Sequence, residues 1–210
     1  MASEQVLPLF PLQVVLFPGA TMPLHIFEPR YRRMVGEAVE QNSEFGMILA
    51  EEAEMSSVGC TSVVEQVIKR YEDGRFDIVT RGRQRFQVLE LSEEEECLRA
   101  TIELFQDESS DSVAPAVVEE ALNLAAEVAQ ALHVELPEDF TIDEPQASFA
   151  VAAALPLELD FKQQLLEDRS EPHRMHSLVE YLATVLDRTQ ATHRVQELAR
   201  TNGHAGRSIE

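Results

Sequence analysis

The chain has 210 residues, 44% of them hydrophobic but only 6% aromatic and none of them tryptophan. That length suits one large domain or two small ones, with a core that needs neither metal nor disulfide. Thirty-eight acidic against 17 basic residues give a formal charge of -21, which repels phosphate backbones at long range and argues against bulk binding to nucleic acid or anionic membranes.

The first hundred residues read mainly as strands. Gln13–Phe17 is a β-branched and aromatic run stopped by the turn pair Pro18-Gly19, and Thr21–Ile26 follows as a second short strand. Phe27, Tyr31, Met34, Val35, Ala38 and Val39 then recur at helical spacing, with Pro29 in a first-turn position, which predicts a helix over Pro29–Gln41. Phe45–Ala50 returns to strand character, and Val58–Arg70 is long enough for a bent or bulged strand. Asp73-Gly74 signals a hairpin, after which Phe76, Ile78 and Thr80 share one face and Phe86, Val88 and Leu89 resume beyond Gly82. Cys97, Arg99 and Thr101 alternate with Leu98, Ala100, Ile102 and Leu104 in a last strand, and the acidic run Glu93–Glu96 before it reads as a solvated turn. Six to seven short strands with one helix among them predict a small, partly closed barrel over residues 1–106.

Past Gln106 the periodicity changes. Asp107–Ser112 is a polar boundary, and Val117, Ala121, Leu124, Ala125, Val128 and Leu132 follow the 3.6-residue period up to about His133. Pro137 and Pro145 bracket a loop, Gln146–Ala154 and Leu157–Glu167 form two shorter helices parted by Pro156, and a final helix starts near Ser170 and Pro172 and runs past Leu198 to Asn202-Gly203. Residues 107–203 are thus expected to form a helical bundle, with residues 204–210 a disordered tail, and the whole is of the α+β class.

Counting removes most catalytic chemistries. The only lysines are Lys69 and Lys162, no Gly precedes a Lys, no two Gly stand two apart, and neither GxSxG nor HExxH occurs. Phosphate-cradling loops, dinucleotide fingerprints, nucleophile elbows and zinc helices are therefore not expected. Cys60 and Cys97 lie far apart with no CxxC, the pattern of reduced thiols. His173 and His176 stand three apart on the last helix without a third ligand placed by sequence, so no metal is expected. The amino terminus lacks a basic n-region, and the longest apolar run, Ala150–Leu157, is far short of the ~20 residues that span a bilayer. A cytoplasmic protein without catalytic activity, cofactor or membrane partner is the expectation.

Leu7-Pro-Leu-Phe-Pro-Leu12, Val15-Leu-Phe-Pro-Gly19, Pro23-Leu24 with Phe27-Glu28 and Tyr31, Val58-Gly-Cys60, Asp73-Gly74, Arg81-Gly82 with Arg85-Phe86, and Leu98-Arg99-Ala100 resemble, in order and spacing, the amino-terminal substrate-binding domain of Lon peptidases. Leu155-Pro156, Lys162–Glu167 and the leucine-bearing last helix are similar to its helical part, so the resemblance covers roughly residues 5–200. It implies a PUA-like β-barrel joined to a helical bundle, a stand-alone LON-domain protein without the ATPase and Ser-Lys peptidase modules, and recognition of unfolded or damaged protein segments, either by the module working alone or with delivery to a separate protease.

Two sets of side chains are candidates for such recognition. Met22, Leu24, Phe27 and Tyr31 cluster around the second strand and the following helix, where they would either line an apolar groove for an extended peptide added along a strand edge or, as Met and aromatic residues at helical spacing more often do, belong to the core. Lys69, Arg70, Arg75, Arg81, Arg83 and Arg85 form the one concentrated cationic stretch. They would either grip carboxylates or phosphates or neutralise Glu65, Glu72, Asp73, Asp77 and Glu90 across the sheet. The cationic stretch supports the alternative of a PUA-like RNA-binding protein, which the overall charge opposes.

Overall fold

The computed structural model describes residues 4–51, 54–94, 97–108, 112–136 and 146–202. Six strands and five helices occur among them, in an α+β arrangement: β1 Glu4–Leu12, β2 Thr21–Ile26, α1 Pro29–Gln41, β3 Phe45–Glu51, β4 Glu54–Arg70, β5 Phe76–Glu94, β6 Cys97–Phe105, α2 Pro115–Leu132, α3 Ala147–Ala154, α4 Leu159–Glu167 and α5 Glu171–Asn202. They divide into two compact units, residues 1–110 with 156–170 and residues 111–155 with 171–210. The segment 156–170, which carries α4, thus returns to the sheet-bearing unit and packs on β4.

The sheet runs in the order β2-β5-β4-β3-β1-β6, and β5 also pairs with β6, so the circuit β5-β4-β3-β1-β6 closes on itself with β2 appended beside the first half of β5. Two strands are long, not short. β4 has 17 residues and β5 has 19, with register shifts between Cys60 and Ser62, Val64 and Gln66, and Val67 and Lys69. The expected break at Gly82 is absent because β5 runs through it. Bulges of this kind bend and twist a strand without ending it, which lets β5 pair with β2 and β4 and then with β6. Gly82 serves a close approach instead: a Cβ there would lie 2.1 Å from the Phe17 carbonyl oxygen, and its N–H donates to Ala20 O while its own carbonyl accepts from Gly19 N–H, both at 2.9 Å.

The first strand also differs from the expectation. Gln13–Phe17 is not a strand. Its apolar members Val15, Leu16 and Phe17 are buried in irregular backbone, and β1 lies upstream, through Pro8 and Pro11. Proline is tolerated because each half of β1 has a single partner, Glu4–Pro8 pairing with β6 and Leu9–Leu12 with β3, so a missing N–H need not cost a ladder bond.

Helix α1 begins and ends as its sequence dictates. Pro29 opens it with a preset φ, and Asn42, in the left-handed conformation at φ 51°, closes it with its N–H bonded to Ala38 O. Its inner face, Tyr31, Met34, Val35 and Ala38, packs on a core that includes Phe10, Leu16, Ile26, Phe45, Met47, Phe76 and Ile78. A second cluster of Leu7, Leu9, Ile48, Phe86, Ala100 and Ile102 fills the other end of the circuit.

In the second unit α2 buries Ala121, Ala125, Val128 and Ala129, and His133 at φ 56° ends it. Around α3 and α5, Ser148, Glu171 and Arg174 are buried together: the Ser148 hydroxyl donates to Glu171 at 2.6 Å, as does Arg174 Nη2, while the guanidinium stacks 4.3 Å from the Phe149 ring. Such a satisfied ion pair positions helices and leaves no polar group without a partner. The expected loop between Pro137 and Pro145, part of the acidic turn (Glu95 and Glu96), much of the 107–112 boundary and the 204–210 tail lie outside the described residues. No helix among the described residues is long and apolar enough to cross a membrane.

Candidate functional site

Among the described residues, the most exposed aromatic side chain sits where β2 meets α1. Along β2, Met22, Leu24 and Ile26 point inward and Thr21, Pro23 and His25 outward, as a two-residue period requires. Phe27 then leaves the strand with 58% of its surface exposed. Strand pairing sets His25 opposite Asp77 of β5, and Asp77 opposite Lys69 of β4. The result is a compact surface group. His25 Nδ1 lies 2.6 Å from Asp77 Oδ1, and the Tyr71 hydroxyl donates to Asp77 Oδ2 at 2.7 Å. Phe27 stacks on His25 at 6.0 Å with 20° between planes, and His25 meets Tyr71 edge-on at 5.8 Å. Lys69 Nζ and the Arg75 guanidinium lie 4.4 and 5.2 Å from the Tyr71 ring centre.

Electrostatics follow from these bonds. Hydrogen bonding to His25 and then to Tyr71 holds the Asp77 carboxyl below the usual carboxylate range, and the same bond to Asp77 raises the Tyr71 phenol. At the hairpin tip the Arg75 backbone N–H, then its guanidinium, lowers Asp73. The tip is held in place by α1, because Arg32 Nη1 donates to Asp73 O at 2.5 Å. Gly74, at φ +84°, supplies the left-handed turn residue beside it.

The four groove candidates therefore separate. Tyr31 is 5% exposed, with its ring centre 4.2 Å from that of Phe10. Met22 and Leu24 are partly buried against the same core. Only Phe27 faces solvent, and it is joined by His25, Tyr71 and Asp77, which sequence reading missed. The Asp73-Gly74 hairpin brings Tyr71 and Asp77 together and was legible; the pairing of β2 with β5, which adds His25, is non-local and left no local signal.

The basic stretch does not form one surface either. Arg85 is 2% exposed. Its guanidinium donates to the carbonyls of Leu166 at 3.0 Å and Asp168 at 2.6 Å and pairs with the Asp107 carboxylate. Arg81 pairs with Glu65 at 2.9 Å and donates to Gly19 O, and Arg75 pairs with Asp73 at 2.7 Å. Arg70 lies 5.6 Å from the Phe76 ring centre, and Arg83 is exposed. Among the described residues no group of three or more His, Cys, Asp or Glu is placed to hold a metal.

Residues 6–184 match the family described as the ATP-dependent protease La (LON) substrate-binding domain. The chain belongs to that family. It is 32% identical over 194 residues to a Lon protease of Anaeromyxobacter dehalogenans, covering 84% of this chain and 23% of that one, and 30% identical over 198 residues to Lon protease 2 of Myxococcus xanthus, covering 85% and 23%. The chain thus spans about a quarter of the length of the curated Lon relatives it matches. Among solved structures, the Lon N-terminal domain protein of Xanthomonas campestris matches with a TM-score of 0.66 and 27% identity, over 84% of this chain and 98% of that one. The N-terminal domain of a Mycobacterium avium complex Lon protease, at 17% identity and a TM-score of 0.61 over 85% and 98%, shares the fold. Membership in the LON substrate-binding family is consistent with a role in substrate recognition.

Proposed function

We propose that this chain is a non-catalytic, cytoplasmic protein-recognition module of the Lon type, which takes up unfolded or damaged protein segments and presents them to a separate protease. The closed pairing circuit supports reading the first unit as a PUA-like barrel. The observation that carries the functional reading is Phe27, exposed and stacked on His25 at the end of β2, a strand with one pairing partner among the described residues. An extended client can add along the open side of β2 and seat an apolar side chain on Phe27. Pro23 stands in that strand and interrupts the row of donors, which limits indiscriminate edge pairing.

The RNA reading draws less support, since Arg85 is buried and Arg75 and Arg81 already hold carboxylates. Client binding is tested by fluorescence anisotropy with labelled, unfolded casein. Phe27→Ala is expected to weaken binding about tenfold, the loss of roughly one buried aromatic contact, with little change in melting temperature. Tyr31→Ala is expected to keep the affinity and to cost about 3 kcal/mol of stability as a core truncation. Equal affinity of the wild type and Phe27→Ala would overturn the assignment.

A further inference from the structure

Helix α4 packs against β4, and a cleft of about 300 Å³ beside it is lined by Leu49, Glu51, Glu54, Met55, Asp160 and Gln163. The charged groups of the lining are of one sign. Glu51 and Glu54 stand opposite each other as the last pair of the β3–β4 ladder, an arrangement in which like charges repel. Asp160, in the first turn of α4, adds a third carboxylate. All three residues are exposed, and none pairs with a basic side chain among the described residues. Gln163 is by contrast only 7% exposed. Its Nε2 donates to Val58 O at 3.1 Å and to Glu167 Oε1 at 2.7 Å. Facing two acceptors, that atom must be the amide nitrogen. The carbonyl oxygen is therefore the other end, and it is buried with no hydrogen-bond partner among the described residues. A buried acceptor left in that state is costly and calls for a donor.

Three carboxylates around an unpaired carbonyl oxygen select a ligand that carries positive charge and donates hydrogen bonds. A divalent metal ion gathers about six oxygens at close range, and among the described residues no three acidic groups come together to hold one. An elongated organic cation suits the lining better. Its charges are spaced along a chain, and its methylenes can lie on Leu49 and Met55 as the stem of a long basic side chain lies on apolar surface. The volume, at the lower end of the range for small-molecule sites, admits such a chain and excludes a helix or strand of another protein. We propose that this cleft binds a linear aliphatic polyamine, whose ammonium groups meet Glu51, Glu54 and Asp160 while one of them donates to Gln163 Oε1. The charge of -21 raises the concentration of such polycations near the surface, and the unpaired Gln163 oxygen gives this one cleft a preference over the rest of it. The site is independent of Phe27 and of the reading built on it.

The test is calorimetric titration of the whole chain with spermidine at about 0.15 M ionic strength, where long-range attraction is screened. One saturable site is expected. Glu51→Gln combined with Glu54→Gln is expected to weaken it about tenfold or more, since two charge-assisted bonds are lost. Glu37→Gln combined with Glu40→Gln removes the same charge from exposed positions on α1 and is expected to leave the affinity unchanged. Butylamine, which carries one ammonium group as a lysine side chain does, is expected to bind about a hundredfold more weakly. Gln163→Met, which removes the amide at nearly constant volume, is expected to weaken spermidine several-fold. In protein labelled at the methionine methyls, spermidine is expected to shift the signal that Met55→Leu deletes. The proposal is overturned if spermidine shows no saturable site, if the two double variants weaken it equally, if butylamine binds as tightly, if the Met55 signal does not move, or if a folded Gln163→Met protein binds as the wild type does. Should Gln163→Met fail to fold, as circular dichroism would show, the double variants and the Met55 signal decide.

Discussion

Arg85 shows how much one side chain can bind together. It is held by two backbone carbonyls and a carboxylate contributed by residues 107, 166 and 168, and its guanidinium lies 4.7 Å from the Phe105 ring centre. Removing one partner of a buried pair strands the other charge, which costs more than the pair contributes. Arg85→Met is therefore expected to lower unfolding free energy by about 3 kcal/mol, read from the urea midpoint. Arg85→Lys should recover only part of that, because an ammonium lacks the planar fork that reaches all three acceptors. Asp77 gives a pH dependence. Its folded pKa is depressed, so its contribution is fully present above the unfolded value of about 3.9 and is lost as pH falls through the lower folded value. Asp77→Asn should thus melt below the wild type at pH 7, and the gap should narrow progressively as the pH is lowered beneath the usual carboxylate range. A gap that does not narrow on acidification would mean that the carboxylate charge is not what holds His25 and Tyr71 together.

At the scale of elements, local chemistry predicted what local chemistry controls. Pro29 and the 3.6-residue recurrence gave α1 its bounds, Asp73-Gly74 gave the β4–β5 turn, and the alternation from Cys97 gave β6. The failures lie where pairing is long-range. Gln13–Phe17 has strand composition but finds no partner, and its burial in irregular backbone is held by contacts such as Gly82 against Phe17. Pro8 and Pro11 look like strand breakers, yet β1 passes through both because neither half is paired on two sides. Arg85 reads as a surface cation until residues 156–170 return to cover β5, which no periodicity announces. The candidate site has the same history. Phe27 was legible from its place after a strand, whereas His25 and Asp77 lie 52 residues apart in sequence and meet only through the β2–β5 register.

At the scale of the whole molecule, a charge of -21 acts on every approaching polypeptide, while the surface around Phe27 is locally near balance. Arg30 pairs with Glu28, Arg75 with Asp73, and Lys69 stands near Asp77. Long-range fields and short-range contacts should therefore separate on titration with salt. The screening length falls from about 30 Å at 0.01 M to about 8 Å at 0.15 M ionic strength. Over that range an unfolded basic client, such as reduced lysozyme, is expected to lose affinity several-fold, and acidic casein to gain it, so that the two dissociation constants converge. What remains at the higher salt is the contribution of apolar and backbone contacts, which screening does not remove, and there the Phe27→Ala loss should stand at its full value for both clients. If casein instead weakens steeply with added salt, cations rather than Phe27 hold the client, and Lys69, Arg70 and Arg83 become the residues to change.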